Sequence, residues 1–405
     1  MGLFKDCPKP SGRMGALWTL GTIKDAAVLE FGSMGHMVYA SKWLEQTGSN
    51  SRSKIYTTHI DETDITFGKT ERLEKGIEKL IMEEKPEVIF LLPSSVPEMI
   101  GIDLEAVCDD MSDKYEDISI IPVPAGGFGT TSHKGIEMAL HTLCRALPVK
   151  SELTKEPTYN LIGSCSDLYN FKADAIEIQR IMTGALGMKP VCILSSDTTV
   201  EQIKNIGGAH VNLVLRYEGL KAAKELESRF GTPYIYYRPY GYEGTVTWLK
   251  EIAEKLQVEL NDDFIKEEIA EGKKAVRHVR QMAAYQPGRA RISIGGHEDV
   301  VKGILEFAVR EAGMIRGICW QSDKGRTGDE IPYFDDIKVT KEINKEQHSI
   351  LMADYYTLKR YGRSEELKID KSLNEWELNP YVPPLTGFRG ALQLATLWFQ
   401  NIMTD

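Results

Sequence analysis

The chain has 405 residues, 42% hydrophobic and 27% charged, and a formal net charge of −10. Such a composition excludes a disordered or fibrous chain, and the length excludes one ordinary core, so two or three domains of roughly 100–150 residues are expected. The acidic balance, without clustered Lys and Arg, argues against a nucleic-acid surface, and no run approaches the roughly 18 apolar residues of a membrane span.

At the start of the chain the first seven residues carry no apolar signal core, so a cytoplasmic location is expected. Residues 13–20 favour a helix. Short apolar or β-branched runs at residues 25–31, 54–60, 88–93 and 118–123 predict strands, with amphipathic helices at 70–84 and 135–147. The charged, Pro-terminated stretch 150–157 reads as a linker. A second series follows, with strands at 159–162, 191–195, 211–215 and 234–237 and helices at 173–186 and 219–230. A helical region then covers 244–284. The third series has a strand at 290–294, a helix at 299–312 and a strand at 315–320. Pro380, Pro383 and Pro384 fix an irregular approach to an apolar helix at 391–403, whose Leu392, Leu394, Leu397, Trp398 and Phe399 pack internally or at a subunit interface, internal packing being the expectation. The repeated β–loop–α order predicts an α/β protein of three Rossmann-like domains with parallel sheets, divided at 1–150, 151–285 and 286–405.

The six cysteines, Cys7, Cys108, Cys144, Cys165, Cys192 and Cys319, are dispersed without any compact ligand spacing. A disulfide framework is not expected, and a metal site would need distant segments or a second chain. There is no GxxxxGK[ST] sequence and no GxGxxG after a first strand, so no nucleotide is expected to bind this chain. Cys7-Pro8-Lys9-Pro10-Ser11-Gly12 sets a thiol in a restricted loop before a helix, as a ligand for iron or zinc or as an ordinary cysteine. Gly126-Gly127-Phe128-Gly129-Thr130-Thr131-Ser132-His133 either offers amides to an anion or caps the next helix through Thr131 or Ser132. In the loop Phe31-Gly32-Ser33-Met34-Gly35-His36 the glycines permit close backbone approach, and His36 is a ligand, a proton donor or a plain loop histidine.

Several of these segments, in order and spacing, resemble the β-type subunits of the nitrogenase component 1 superfamily. Cys7 through Gly15-Ala16-Leu17 is similar to the segment carrying the first P-cluster cysteine. Gly32-Ser33-Met34-Gly35-His36 resembles the second cluster loop, with His36 at the cysteine position. Glu62-Thr63-Asp64-Ile65-Thr66-Phe67-Gly68 is similar to an acidic segment ending in Phe-Gly. Ser94-Ser95-Val96-Pro97-Glu98-Met99-Ile100-Gly101-Ile102-Asp103-Leu104 resembles the third cluster motif, with Ser95 replacing cysteine. Arg216 falls where the catalytic subunit has its cofactor cysteine, and Thr386 where it has its cofactor histidine.

The resemblance implies three domains around a central cleft and an iron–sulfur cluster, a [4Fe-4S] centre, shared with a partner chain. Cys7 and His36 would be its metal ligands, with Gly32, Gly35 and Ser95 lining it and His36 or Asp64 available for acid–base work. The implied partners are a homologous α-type subunit or a second copy, an ATP-hydrolysing iron protein resembling nitrogenase reductase, and a small-molecule or tetrapyrrole substrate. The chain would then be one subunit of a nitrogenase-like reductase. An assembly scaffold for a metallocluster or tetrapyrrole, and a non-redox ligand-binding protein on the same shell, are the alternatives.

Overall fold

The structure, a computed structural model, describes residues 10–46, 54–124, 129–168, 170–195, 198–322, 330–345, 349–354, 357–358 and 383–403. It is an α/β protein built on parallel sheets. Packing divides the chain into two units. One comprises Lys9–Asp167 and Pro190–Tyr234, the other Leu168–Lys189 and Ile235–Asp405.

In the first unit, β1 (Ala26–Phe31), β2 (Lys54–Thr57), β3 (Val88–Pro93) and β4 (Ser119–Pro122) form a sheet in the order β2–β1–β3–β4, with every pair parallel. β1 and β3 are buried along their whole lengths, the expected fate of near-continuous apolar runs in a covered parallel sheet. The helix Glu71–Glu83 presents Leu73, Ile77 and Leu80 to this sheet at helical spacing, and the helix Leu104–Lys114 adds Leu104, Val107 and Met111. The helix Gly12–Leu20 meets the helix Ser132–Ala146 backbone to backbone. A methyl group on Gly135 would overlap the Gly12 carbonyl, and one on Gly15 the Ser132 carbonyl.

The unit also holds β5 (Thr158–Ser164) between β6 (Lys189–Ser195) and β7 (Val211–Val214). Asn160 and Asn212, both fully buried, stand opposite each other on β5 and β7. Asn160 Nδ2–H donates to Asn212 Oδ1 at 2.8 Å, and Asn212 Nδ2–H donates to the Thr232 carbonyl at 3.3 Å.

The other unit continues through β8 (Tyr234–Tyr236) into the helices Tyr242–Leu256 and Asp262–Tyr285. β9 (Arg291–Gly296), β10 (Ile315–Gln321) and β11 (Ile350–Met352) follow as a parallel sheet in the order β10–β9–β11. Trp320, Phe334, Val339, Ile343 and Leu351 form one of its cores. The last helix, Gly387–Met403, packs on Asp262–Tyr285 and buries Leu394 and Trp398, whose indole lies 5.1 Å from the Phe307 ring.

Departures from the sequence expectation have local causes. The strand expected at 54–60 stops at Thr57 because His59 adopts a φ of 54°, outside the extended region. The helical region at 244–284 is two helices, since Gln257 closes the first at a φ of 54° and the Asn261 side chain caps the second by accepting the Phe264 N–H at 3.1 Å. Met34, Gly35 and His36, expected in a loop, form the first turn of the helix Met34–Gln46. Neither β11 nor the helix Asp336–Ile343 was marked by periodicity. No described helix is long and apolar enough to cross a membrane.

Two measurements test this packing. Gly135→Ala places a methyl group against immovable backbone, and its denaturant midpoint should fall by an amount equivalent to about 3 kcal/mol, the upper end for overpacking. Glu311, buried and accepting the Tyr242 N–H at 2.9 Å, has its carboxyl pushed by burial from the ordinary carboxylate range up to about 7. A folded pKa above the unfolded one means folding takes up a proton between those values, so stability falls as pH rises through that window. Urea unfolding at pH 5 and 7.5 should therefore show a smaller loss for Glu311→Gln than for the parent chain.

Candidate functional site

Because β1, β2 and β3 are parallel, the segments that leave them emerge at one edge of the sheet. Gly32 follows β1, and its carbonyl accepts the Ile60 N–H at 3.1 Å and the Thr57 hydroxyl at 2.9 Å. The Ser94 N–H donates to the Phe31 carbonyl at 2.9 Å. A side chain on Gly32 would lie 2.7 Å from the Ser94 hydroxyl, so glycine is what lets the two segments touch. Ser95, half-buried, starts the helix Ser95–Met99. Around Gly35 there is room, with no heavy atom within 4 Å of where a Cβ would sit. Sequence-predicted Gly32 and Ser95 are thus brought to one place, and the backbone of His36 begins the adjoining helix. Cys7 and the His36 side chain lie outside the described residues.

Asp64 belongs to the segment leaving β2, where it is engaged by the fold. The Asp61 side chain accepts the Asp64 N–H at 3.0 Å while Asp64 Oδ2 accepts the Asp61 N–H at 3.1 Å, closing a reciprocal cap on the helix Glu62–Phe67. The same Oδ2 receives Arg72 Nε–H at 2.6 Å. Acid–base work by this carboxylate would compete with all of these bonds.

Directly beneath the edge sits a pair that the sequence reading missed. Arg13 Nε lies 3.1 Å from Glu30 Oε1, and both side chains are buried. The Glu30 Cγ is 3.3 Å from the Cβ position of Gly32. Burial pushes the Glu30 carboxyl up to about 7, opposed by the Arg13 charge, and burial also lowers the Arg13 pKa. Arg13 Nη1 and Glu30 Oε2 have no hydrogen-bond partner among the described residues. A single charge inside the run Ala26-Ala27-Val28-Leu29-Glu30-Phe31 was the available signal.

The five described cysteines are all buried. Burial pushes the thiols of Cys108 and Cys192 up to about 12 and that of Cys165 to about 11, and also raises that of Cys144 well above its ordinary value. None is a ready thiolate. The edge therefore offers helix starts, a buried guanidinium and a half-buried hydroxyl, an environment that fits an anionic group, while no described sulfur there could ligate it. A thiolate from this chain would have to be Cys7.

Arg216 is fully buried just beyond β7. Its Nη1 and Nη2 donate to Asp167 Oδ1 and Oδ2 at 2.6 and 2.9 Å, and its Nε donates to Glu218 Oε2 at 2.7 Å. Glu218 Oε1 meets His133 Nδ1. The left-handed Gly163, with a φ of 100°, gives the guanidinium stem its space, since a Cβ there would lie 2.6 Å from Arg216 Cγ. This bidentate, doubly neutralised arrangement holds a cation where the resemblance puts a cofactor thiolate, so the residues present do not fit a thiolate-held cofactor. In the other unit the Thr386 N–H donates to Asp174 Oδ1 at 3.1 Å, and its buried hydroxyl has no ring nitrogen to offer a metal. Thr131, expected as a cap, occupies the N-cap position without a side-chain bond, while residues 126–128 of its loop lie outside the described residues.

Comparison with known proteins shows the family. The family model for nitrogenase component 1 type oxidoreductases matches residues 11–403. The chain is 28% identical over 357 residues to the nitrogenase iron-molybdenum cofactor biosynthesis protein NifE of Clostridium pasteurianum, covering 86% of this chain and 74% of that protein. It is 27% identical over 247 residues to the nitrogenase molybdenum-iron protein alpha chain of Methanosarcina barkeri, covering 58% of this chain and 45% of that one. The solved structure of nitrogenase Cp1 at pH 6.5 superimposes with a TM-score of 0.81 at 16% identity, covering 100% of this chain and 94% of the other, which shows a common fold. A family match running from the first described helix to the last leads to one statement of kinship: this chain belongs to the nitrogenase component 1 type oxidoreductases.

Proposed function

We propose that the chain is one subunit of a nitrogenase-like reductase complex, in which an iron–sulfur centre sits at a seam between this sheet edge and a partner subunit. The partner is a homologous α-type subunit or a second copy. A separate ATP-hydrolysing iron protein delivers electrons, and the substrate is a small molecule or tetrapyrrole. One observation carries the reading. The three segments leaving β1, β2 and β3 expose seven large apolar side chains: Met34, Val38 and Tyr39, then Phe67, then Val96, Met99 and Ile100, with Phe67 at 71% and Met99 at 69%. Apolar groups held in water around one edge favour a protein partner there.

In this reading Cys7 supplies thiolate and His36 imidazole, and the partner supplies the remaining ligands. When bound, the cluster supplies one-electron transfer. The chain's own part is to keep Gly32 and Ser94 in contact, so that backbone approaches closely, and to hold Asp64 and Arg72 as the cap that fixes the segment after β2. Arg13, buried beneath Gly32, places positive charge near the negative group.

A second reading is an assembly scaffold that carries a metallocluster or tetrapyrrole without turnover. It is favoured by the kinship to NifE proteins and by the neutralised Arg216 site, which offers no covalent anchor and so suits cargo that must leave. Transfer of electrons from an iron protein followed by substrate turnover separates enzyme from scaffold. A non-redox ligand-binding subunit would purify without iron.

Anaerobic purification with the partner subunit, followed by iron analysis and electron paramagnetic resonance, tests the ligand assignment. Cys7→Ala should lose most of its iron and its spectrum; full iron occupancy in that variant would remove Cys7 as a ligand. His36→Cys should keep the cluster and lower its potential, because thiolate adds negative charge where imidazole added none. A potential equal to that of the parent would take His36 out of the coordination sphere.

A further inference from the structure

A groove of about 690 Å³ lies between the helices Tyr242–Leu256 and Asp262–Tyr285, within one unit and remote in sequence from the cluster segments. Its floor is rigidly made. The Tyr242 ring rests on Gly272, where any Cβ would overlap the phenol. The Tyr242 N–H donates to buried Glu311, whose carboxylate in turn fills the space beside Gly241, a glycine at a φ of 72°. Val246, Ile269 and Val276 supply apolar wall.

The rim is cationic. Lys250, Lys273, Arg277 and Arg280 border the groove, against Glu243 and Glu311. Arg280 is anchored by donating to the Arg310 carbonyl at 2.5 Å. Lys250, Lys273 and Arg277 have no carboxylate partner among the described residues. In a chain with ten excess negative charges, three such cations around one concavity form a local field of opposite sign. A cavity of this volume falls in the range of small-molecule sites, where apolar walls bind the body of a ligand and a few charges orient it.

We propose that this groove is a binding site for an amphipathic organic anion, with an apolar body against Val246, Ile269, Val276 and the Tyr242 ring and an acidic group held by Lys273 and Arg277. The i,i+4 spacing of Lys273 and Arg277 on one helix brings both heads to the same rim, so one carboxylate, sulfonate or phosphate meets two cations. Lys250, on the facing helix, closes on the ligand from the other side. The site is independent of the cluster reading and of any metal.

Fluorescence titration of the full chain with 8-anilino-1-naphthalenesulfonate and its uncharged relative N-phenyl-1-naphthylamine tests it. The sulfonate should bind at one saturable site whose affinity falls with added salt. The double variant Lys273→Glu, Arg277→Glu should weaken it by at least about tenfold, since like charges would then face the anion. Binding of the neutral probe should change little in that variant. Val276→Trp, which fills the apolar wall, should displace both probes. Equal sulfonate affinity in the charge-reversal variant, equal loss of both probes there, or undiminished binding after Val276→Trp would overturn the proposal.

Discussion

The arrangement depends on the contact between two short segments at the end of the first sheet. Parallel pairing of β1 with β2 and β3 brings the ends of the three strands to one edge, and the absent side chain of Gly32 lets the Ser94 segment close on it. The described segments proposed to border the cluster follow from that edge. The helix Met34–Gln46 starts there, Ser95 stands beside it, and the reciprocal Asp61–Asp64 cap fixes the third segment. The exposed apolar residues share those segments because parallel topology sends them all out at the same end.

Charge is treated in opposite ways by the two buried arginines. Arg216 is neutralised, with each of its three nitrogens donating to Asp167 or Glu218, and such a network fixes a conformation. Arg13 has Glu30 beside it and feels the charge of Glu98, and it keeps nitrogen atoms without a hydrogen-bond partner among the described residues, directly under the edge where an anionic group is proposed. A buried donor without a partner costs about 1–3 kcal/mol, a cost that an anion at the edge would offset. The contrast separates a position closed to a cofactor from one suited to a negative group.

The relatives include cofactor biosynthesis proteins and molybdenum-iron alpha chains, whereas the motif resemblance was drawn to β-type subunits. What the comparisons establish in common is the family over residues 11–403 and the fold. Where the motif resemblance implies thiolate or imidazole ligands, this chain has His36, Ser95, Arg216 and Thr386.

The amino-acid sequence by itself determined the α/β class, the strands from β1 to β10, the family and the position of Gly32 and Ser95 in matched segments. These are encoded locally, in apolar runs, helical periodicity and turn residues read over a few positions. It did not reveal β11, the break at His59, the start of a helix at Met34, or the employment of Asp64 as a cap. Nor did it reveal that Glu30 and Arg13 would be buried together, that Arg216 would be neutralised by Asp167 and Glu218, or that Lys250 would face Lys273 and Arg277 across a groove. Those are meetings between residues distant along the chain, and only the tertiary structure decides them, because burial and charge pairing depend on which elements pack together rather than on the residues beside each one in sequence.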